Sequence, residues 1–195
     1  AMAYVNSAQA LDAAAGSLLE AAQGVLARWD RSTDINNQEA ALGVCVLSEE
    51  WLAERVPRAP APIDTQLQTC AEKLMAHFGR LDPPWGEVNR LRRGQIDVPI
   101  GGGPDVLRAI YGREQTGDGR LTAVAGDGLM IFAEWDAQGT PRLRTRHNFG
   151  SASTRPESPH YADQAQAFAK ETLRPVTWSR AELEAQGVRR THLKP

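Results

Sequence analysis

Apolar residues recur every three or four positions through the first 80 residues, which is the spacing of amphipathic helices. The pattern predicts helices at residues 8–29, at about 37–55, and in a third segment that follows Asp64. A proline-rich connector at 57–62 ends the second helix, because proline lacks the backbone donor that a helix interior requires. We therefore expect residues 1–80 to form a helical region.

The pattern changes after residue 80. Residues 81–110 are rich in proline and glycine and predict mostly irregular structure, with one short charged helix at about 87–93. Apolar and polar residues then alternate at 129–135 and again at 142–147, with the turn sequence Asp-Ala-Gln-Gly between them. Alternation of this kind around a short turn predicts an antiparallel hairpin.

Shorter elements follow the hairpin. We expect a helix at about 162–171, an extended piece at 174–178, and a last helix capped by Ser179 with Glu182 three residues later. The fold class is therefore α+β, with a helical region at 1–80 and a mixed region at 81–195. A lone two-stranded hairpin is marginally stable in water, so the hairpin is expected to need further strands.

The charge pattern excludes two classes of partner. The chain carries 22 basic and 24 acidic residues spread along its length, with a net charge of -2. Because the basic residues do not cluster into a stripe, neither nucleic acid nor an anionic membrane surface is an expected partner. The longest apolar runs also fall well short of the roughly 20 residues that a membrane-spanning helix needs.

The two cysteines, Cys45 and Cys70, fall on different predicted helices and have no CxxC spacing. The histidines are scattered without metal-ligand spacing, so we expect no metal and no other cofactor. Two interpretations of the cysteines remain open. They are either reduced, buried small hydrophobes or one disulfide between neighbouring helices.

Five short motifs lie in order between Trp85 and the C-terminus. They are Trp85-Gly86-Glu87-Val88-Asn89-Arg90, Pro99-Ile100-Gly101-Gly102-Gly103-Pro104-Asp105, Ala125-Gly126-Asp127-Gly128, Phe149-Gly150-Ser151-Ala152-Ser153 and Ser158-Pro159-His160-Tyr161-Ala162-Asp163-Gln164. In these motifs and their order the chain resembles penicillin amidases and their relatives, the cephalosporin, acyl-homoserine-lactone and lipopeptide acylases.

The resemblance implies an N-terminal-nucleophile hydrolase with a four-layer α/β/β/α architecture. Such enzymes hydrolyse amides with a serine at the N-terminus of their large chain, activated by its own free amine. Ala1-Met2-Ala3-Tyr4 does not supply that serine. The resemblance therefore implies that this chain is the C-terminal part of the large chain and is inactive alone, with the upstream remainder of the acylase as its partner.

The resemblance also implies the substrate class and the location. The intact enzyme would take a small N-acyl compound, namely a β-lactam, an acyl-homoserine lactone or an acylated peptide, which connects it with antibiotic metabolism. A periplasmic or secreted location is implied as well. The alternative is a free-standing, non-catalytic binding or interaction domain derived from the acylase fold.

Glu134 is the candidate catalytic residue, in a supporting role. It shares a predicted strand face with Met130 and Phe132, and a carboxylate among apolar neighbours tends to be paired or to have a raised pKa. The resemblance to cephalosporin acylases implies a glutamate here that steadies a histidine beside the terminal amine. The alternative is that Glu134 reaches solvent at the end of its strand.

His160 and Asp163 could form a catalytic triad with Ser158 or Ser153. The structural interpretation is stronger: Ser158 starts a turn, and Asp163 with Gln164 satisfies backbone donors at a helix start.

Two other patterns have a structural interpretation. The three glycines at 101–103 lack the lysine and hydroxyl residue of a P-loop, so we interpret them as a sharp turn. Arg142, Arg144 and Arg146 alternate along a predicted strand, where they could attract a carboxylate. We interpret them instead as the solvated face of an edge strand that discourages further pairing.

Overall fold

The protein is α+β, as the sequence predicts. The structure, a computed structural model, describes residues 17–55, 59, 61–187 and 191, with only the backbone described at 49–55. Contacts divide the chain into two compact units, and the boundary in the sequence falls between Asp127 and Gly128. The predicted division after residue 80 stays a prediction.

Three helices form most of the core of the first unit. Residues 17–28 are helical and are called α1, and the predicted residues 8–16 lie outside the described range. Helices α2 (Ala40–Arg55) and α3 (Ile63–Phe78) follow, separated by the connector, of which residues 59, 61 and 62 are described. Their apolar faces bury residues such as Ala22, Leu42 and Leu74 in one cluster.

A disulfide joins two of these helices and answers the question that the sequence leaves open. Cys45 on α2 is bonded to Cys70 on α3, with their Cα atoms 5.9 Å apart. The helices are held together both by apolar burial and by this covalent link.

Local hydrogen bonds define two helix ends. The Asn37 side-chain oxygen accepts from the backbone N–H groups of Glu39 and Ala40 at 3.0 and 2.7 Å, which places the start of α2 three residues after the predicted start. At the end of α3, Gly79 adopts a left-handed conformation and donates its N–H to the Met75 carbonyl.

A four-stranded sheet follows in the first unit. After the single turn α4 (Trp85–Val88) come strands β1 (Asn89–Arg93), β2 (Ile96–Pro99), β3 (Ile110–Glu114) and β4 (Leu121–Gly126). The spatial order is β2-β1-β4-β3, with β1 and β4 parallel and the other two pairings antiparallel.

The predicted charged helix at about 87–93 is wrong beyond Val88, where the single turn α4 ends. The irregular structure predicted for 81–110 is found at 81–84 and 100–109, but strands β1 and β2 interrupt it. Residues 89–93 are strand β1, which turns back into β2 through Gly94 at a positive φ of 59°. The Arg90 and Arg92 guanidinium groups both bond to Asp97 on β2, at 2.7 and 3.2 Å. These charges serve cross-strand pairs rather than a solvated helix face.

The second unit contains the predicted hairpin. Strand β5 (Leu129–Trp135) pairs antiparallel with β6 (Pro141–His147), and the turn is closed by the Asp136 carboxylate, which accepts from the N–H groups of Gln138 and Thr140. The two-residue strand β7 (Arg174–Pro175) adds to β6, so the order is β5-β6-β7.

Two short helices complete this unit. Helix α5 (Ala165–Ala169) is shorter than predicted, and α6 (Arg180–Ala185) begins after Ser179. Ser179 and Glu182 form the predicted capping box, in which each side chain accepts from the other residue's backbone N–H. Across the part of the chain that the structure describes, no helix is long and apolar enough to span a membrane.

Candidate functional site

Glu134 lies near the end of β5, in the second unit. Its backbone is opposite Arg142 in the β6 register, and its carboxylate forms an ion pair with Arg144 at 3.2 Å. Met130 and Phe132 share its strand face, as expected from the alternation. The Glu134 side chain is 63% exposed. A supporting role in catalysis stays a prediction.

The outer edge of β5 is the feature that the residue-by-residue analysis missed. Asn148 donates its backbone N–H to the Gly128 carbonyl, and Asp136 donates its backbone N–H to the Thr140 carbonyl. In the β5–β6 register, the backbone groups of even-numbered β5 residues therefore bond to β6. Hydrogen-bonded and non-bonded pairs alternate along an antiparallel ladder. The backbone groups of residues 129, 131, 133 and 135 therefore point away from β6, where the described chain places no strand.

Apolar side chains line this edge on both faces. Leu129, Ile131 and Trp135 are 45%, 58% and 67% exposed on one face, and Phe132 is 52% exposed on the other. Large exposed apolar groups clustered on one element indicate an interaction surface. We call Leu129–Trp135, with its outward backbone groups, the open edge.

The arginine row of β6 is not an edge feature, so that interpretation is wrong. Because β7 pairs with β6, the arginines lie on the central strand of the three. Arg144 pairs with Glu134, whereas Arg146 donates to the Thr172 carbonyl and to the Gln164 side-chain oxygen. Arg146 thus ties the sheet to both ends of the α5 segment.

His160, Asp163 and Ser158 do not form a catalytic relay. The His160 ring lies 2.9 Å from the Asp163 carboxylate, and this hydrogen bond lowers the pKa of Asp163. The Ser158 hydroxyl instead accepts from the backbone N–H of His160 at 3.1 Å. The group closes a turn, as the structural interpretation predicts. Gln164 departs from that interpretation, because its side chain bonds Arg146 and does not cap α5.

The glycines at 101–103 form a packed turn. Gly102 donates its N–H to the Thr33 carbonyl and accepts from the Trp85 indole at 2.7 Å, and Gly103 donates to the Arg108 carbonyl. Gly102 has a φ of +90°, and a Cβ there would overlap the Arg108 carbonyl. Since two of the three N–H groups are bonded to backbone carbonyls of the protein, they are not directed at a bound anion.

A network of charges lies beside β1 and β4 in the first unit. Arg92 bonds Asp118 at 3.1 Å, and Asp118 also accepts from the Thr116 hydroxyl and the Arg120 backbone N–H. Led by the Thr116 hydrogen bond, these contacts hold the pKa of Asp118 far below its usual value. The network fixes the loop that enters β4.

Each unit contains a well-defined cleft with a volume of about 510 Å³. The first is lined partly by the Lys73–Glu114 ion pair and by Leu121 and Val124. The second is more polar and includes Asp163 and Arg174. In the ranges that the structure describes, no group of three or more histidine, cysteine or acidic residues is placed to hold a metal.

The segments that form the disulfide-linked helices, the four-stranded sheet and the hairpin all lie within the match to one family of hydrolases. The sequence model of the penicillin amidase family matches residues 3–185. The chain therefore belongs to the penicillin amidase family.

Relatives of this chain include proteins named acyl-homoserine lactone acylase PvdQ. An acyl-homoserine lactone acylase PvdQ of Pseudomonas fluorescens strain Pf-5 is 31% identical over 109 residues, covering 54% of this chain and 14% of the relative. A protein of the same name from Pseudomonas savastanoi pv. phaseolicola is 25% identical over 171 residues, covering 86% of this chain and 21% of the relative. The matched part of the chain spans about a fifth of these relatives or less.

Proposed function

We propose that this chain is the C-terminal structural portion of a larger acylase that hydrolyses the amide bond of N-acyl compounds. An N-terminal serine located elsewhere in the parent protein attacks the acyl carbonyl, forms an acyl-enzyme and releases the acid after attack by water. In this proposal the chain contributes strands and outer helices to an α/β/β/α N-terminal-nucleophile architecture.

The observation that carries this proposal is the difference in coverage between the chain and its relatives. The family model takes in almost the whole chain, whereas the relatives extend far beyond the matched region. A chain that is family sequence over most of its length, yet corresponds to a small share of its relatives, fits a portion of a larger enzyme.

We propose an acyl-homoserine lactone as the first substrate to test, because the two relatives bear that activity in their names. β-Lactams and acylated peptides are the other members of the substrate class. We also propose a periplasmic or secreted location. The Cys45–Cys70 disulfide supports it, since disulfides form and persist in oxidising compartments.

The test is reconstitution. The 195-residue chain is assayed alone and after coexpression with the polypeptide encoded upstream of it, using an acyl-homoserine lactone, a β-lactam with an amide side chain and an acylated peptide. We expect no turnover by the chain alone and amide hydrolysis by the complex. Turnover by the purified chain, or the absence of any upstream acylase sequence, would contradict the proposal.

Glu134 offers a residue-level test of the same proposal. If it supports the reaction centre, Glu134→Gln in the reconstituted enzyme lowers kcat by about tenfold or more, the scale of a lost positioning charge. Glu157→Gln is the control, because Glu157 is an exposed acidic residue of the same unit. Equal kcat values for the two variants would leave Glu134 as a surface partner of Arg144.

A further inference from the structure

We propose that the open edge of β5 is the site at which an extended strand from the upstream remainder of the parent acylase adds to this sheet. The inference rests on the proposed function, since it names the partner of a surface that the described residues leave uncovered. It concerns strand pairing and not the chemistry of the active site.

The backbone of the open edge is arranged for strand addition. The residues whose N–H and C=O groups point outward are Leu129, Ile131, Ala133 and Trp135, as the β5–β6 register requires. An added strand would bond these groups and could place alternate side chains against the same four residues. Hydrogen bonding and apolar burial would therefore be satisfied by one element.

The open edge lacks the devices that protect a solvent-exposed strand. Proteins guard exposed edges with lysine, proline, bulges or very short strands. Strand β5 is seven residues long, pairs with β6 without a register shift, and carries Glu134 as its one charged residue.

The other sheet of this protein shows such protection on both sides. Its edge strand β2 is four residues long and contains Asp97 and Pro99. Its opposite edge strand β3 has a register shift between Tyr111 and Gly112 and carries Arg113. The contrast between the two sheets indicates that β5 is covered in the assembled protein.

The upstream remainder is a better occupant than a second copy of this chain. Pairing one seven-residue strand with its copy buries far less than the roughly 1,000 Å² expected of a stable interface. The relatives, in contrast, have about four-fifths or more of their length outside the matched region. A strand from that part would arrive with a core of its own.

Amide hydrogen exchange tests the pairing directly. The 195-residue chain is measured by NMR alone and bound to the separately expressed upstream polypeptide. Alone, the amides of Leu129, Ile131 and Ala133 should exchange faster than those of Met130, Phe132 and Glu134, which bond to β6. In the complex, the first group should slow by at least about tenfold.

Three results would overturn the inference. Fast exchange of the first group in a complex that hydrolyses substrate rejects the pairing and leaves the proposed function standing. Failure to form any complex rejects both. Slowing that depends on the concentration of the chain alone would assign the edge to a second copy.

Ile131→Lys provides the matching variant. A lysine at this outward position should weaken the association with the upstream polypeptide by about tenfold or more, because its charge would be desolvated at the contact. Leu107→Lys is the control, since Leu107 is a fully exposed apolar residue of the other unit and should leave the affinity unchanged. Unchanged affinity for Ile131→Lys, with the hairpin intact by NMR, would contradict the inference.

Discussion

Gly43 shows how a single residue sets the packing of α2 against Trp29, the residue that follows α1. It is buried on α2, and a Cβ built there would overlap ring carbons of Trp29. We expect Gly43→Ala to lower the free energy of unfolding by about 1–3 kcal/mol, the scale of overpacking a buried site. Urea unfolding measures the change.

Gly24 is the matched control for that variant. It also lies in a helix, but the nearest atom to a Cβ there is 3.8 Å away, on the Arg28 guanidinium. Gly24→Ala should leave the stability unchanged or raise it by up to about 1 kcal/mol, since alanine is the better helix former. Equal destabilisation by the two substitutions would contradict the packing described for Gly43.

Asp118 predicts a pH dependence. Because its folded-state pKa is depressed, its contribution to stability is present above the unfolded-state value of about 4 and is lost as the pH falls below it. Asp118→Asn should lower the melting temperature at pH 7. The difference in melting temperature between the variant and the wild-type protein should shrink as the pH falls from 5 to 2. A constant difference over that range would contradict the network.

At the scale of elements, the α2–α3 disulfide predicts a redox-dependent stability. The bond closes a loop with a sequence separation of 25, and such a link contributes about 3 kcal/mol by constraining the unfolded chain. A reductant should therefore lower the free energy of unfolding of the wild-type protein by about that amount. It should leave a double variant with Cys45→Ala and Cys70→Ala unchanged, and equal responses of both proteins would contradict this account.

Elements with strong local signals were the ones that the sequence predicted. The β5–β6 hairpin has strict alternation and a turn whose aspartate bonds its own backbone, and the Ser179 cap needs only the next turn of helix. Strands β1 to β4 lacked such signals. Their sheet depends on the parallel pairing of Asn89 with Leu121, across about 30 residues, and the arginines of β1 resemble a solvated helix face.

At the scale of the whole molecule, two features required the structure. Whether Cys45 reaches Cys70 depends on how the two helices pack, so spacing alone left the disulfide open. The hairpin's need for further strands was foreseen, but the identity of its open side follows from the register and from β7 occupying the other side. The supporting role of Glu134 stays a prediction, because the partner that it would orient belongs to the proposed remainder.

The size of the native protein tests the central claim most directly. An antibody against this chain, which has a mass of 21.3 kDa, is used to probe extracts of cells that express the gene from its own locus. The account predicts a band several times larger, whose N-terminal residue after processing is serine. A native species of about 21.3 kDa, with no larger precursor and no associated polypeptide, would contradict it.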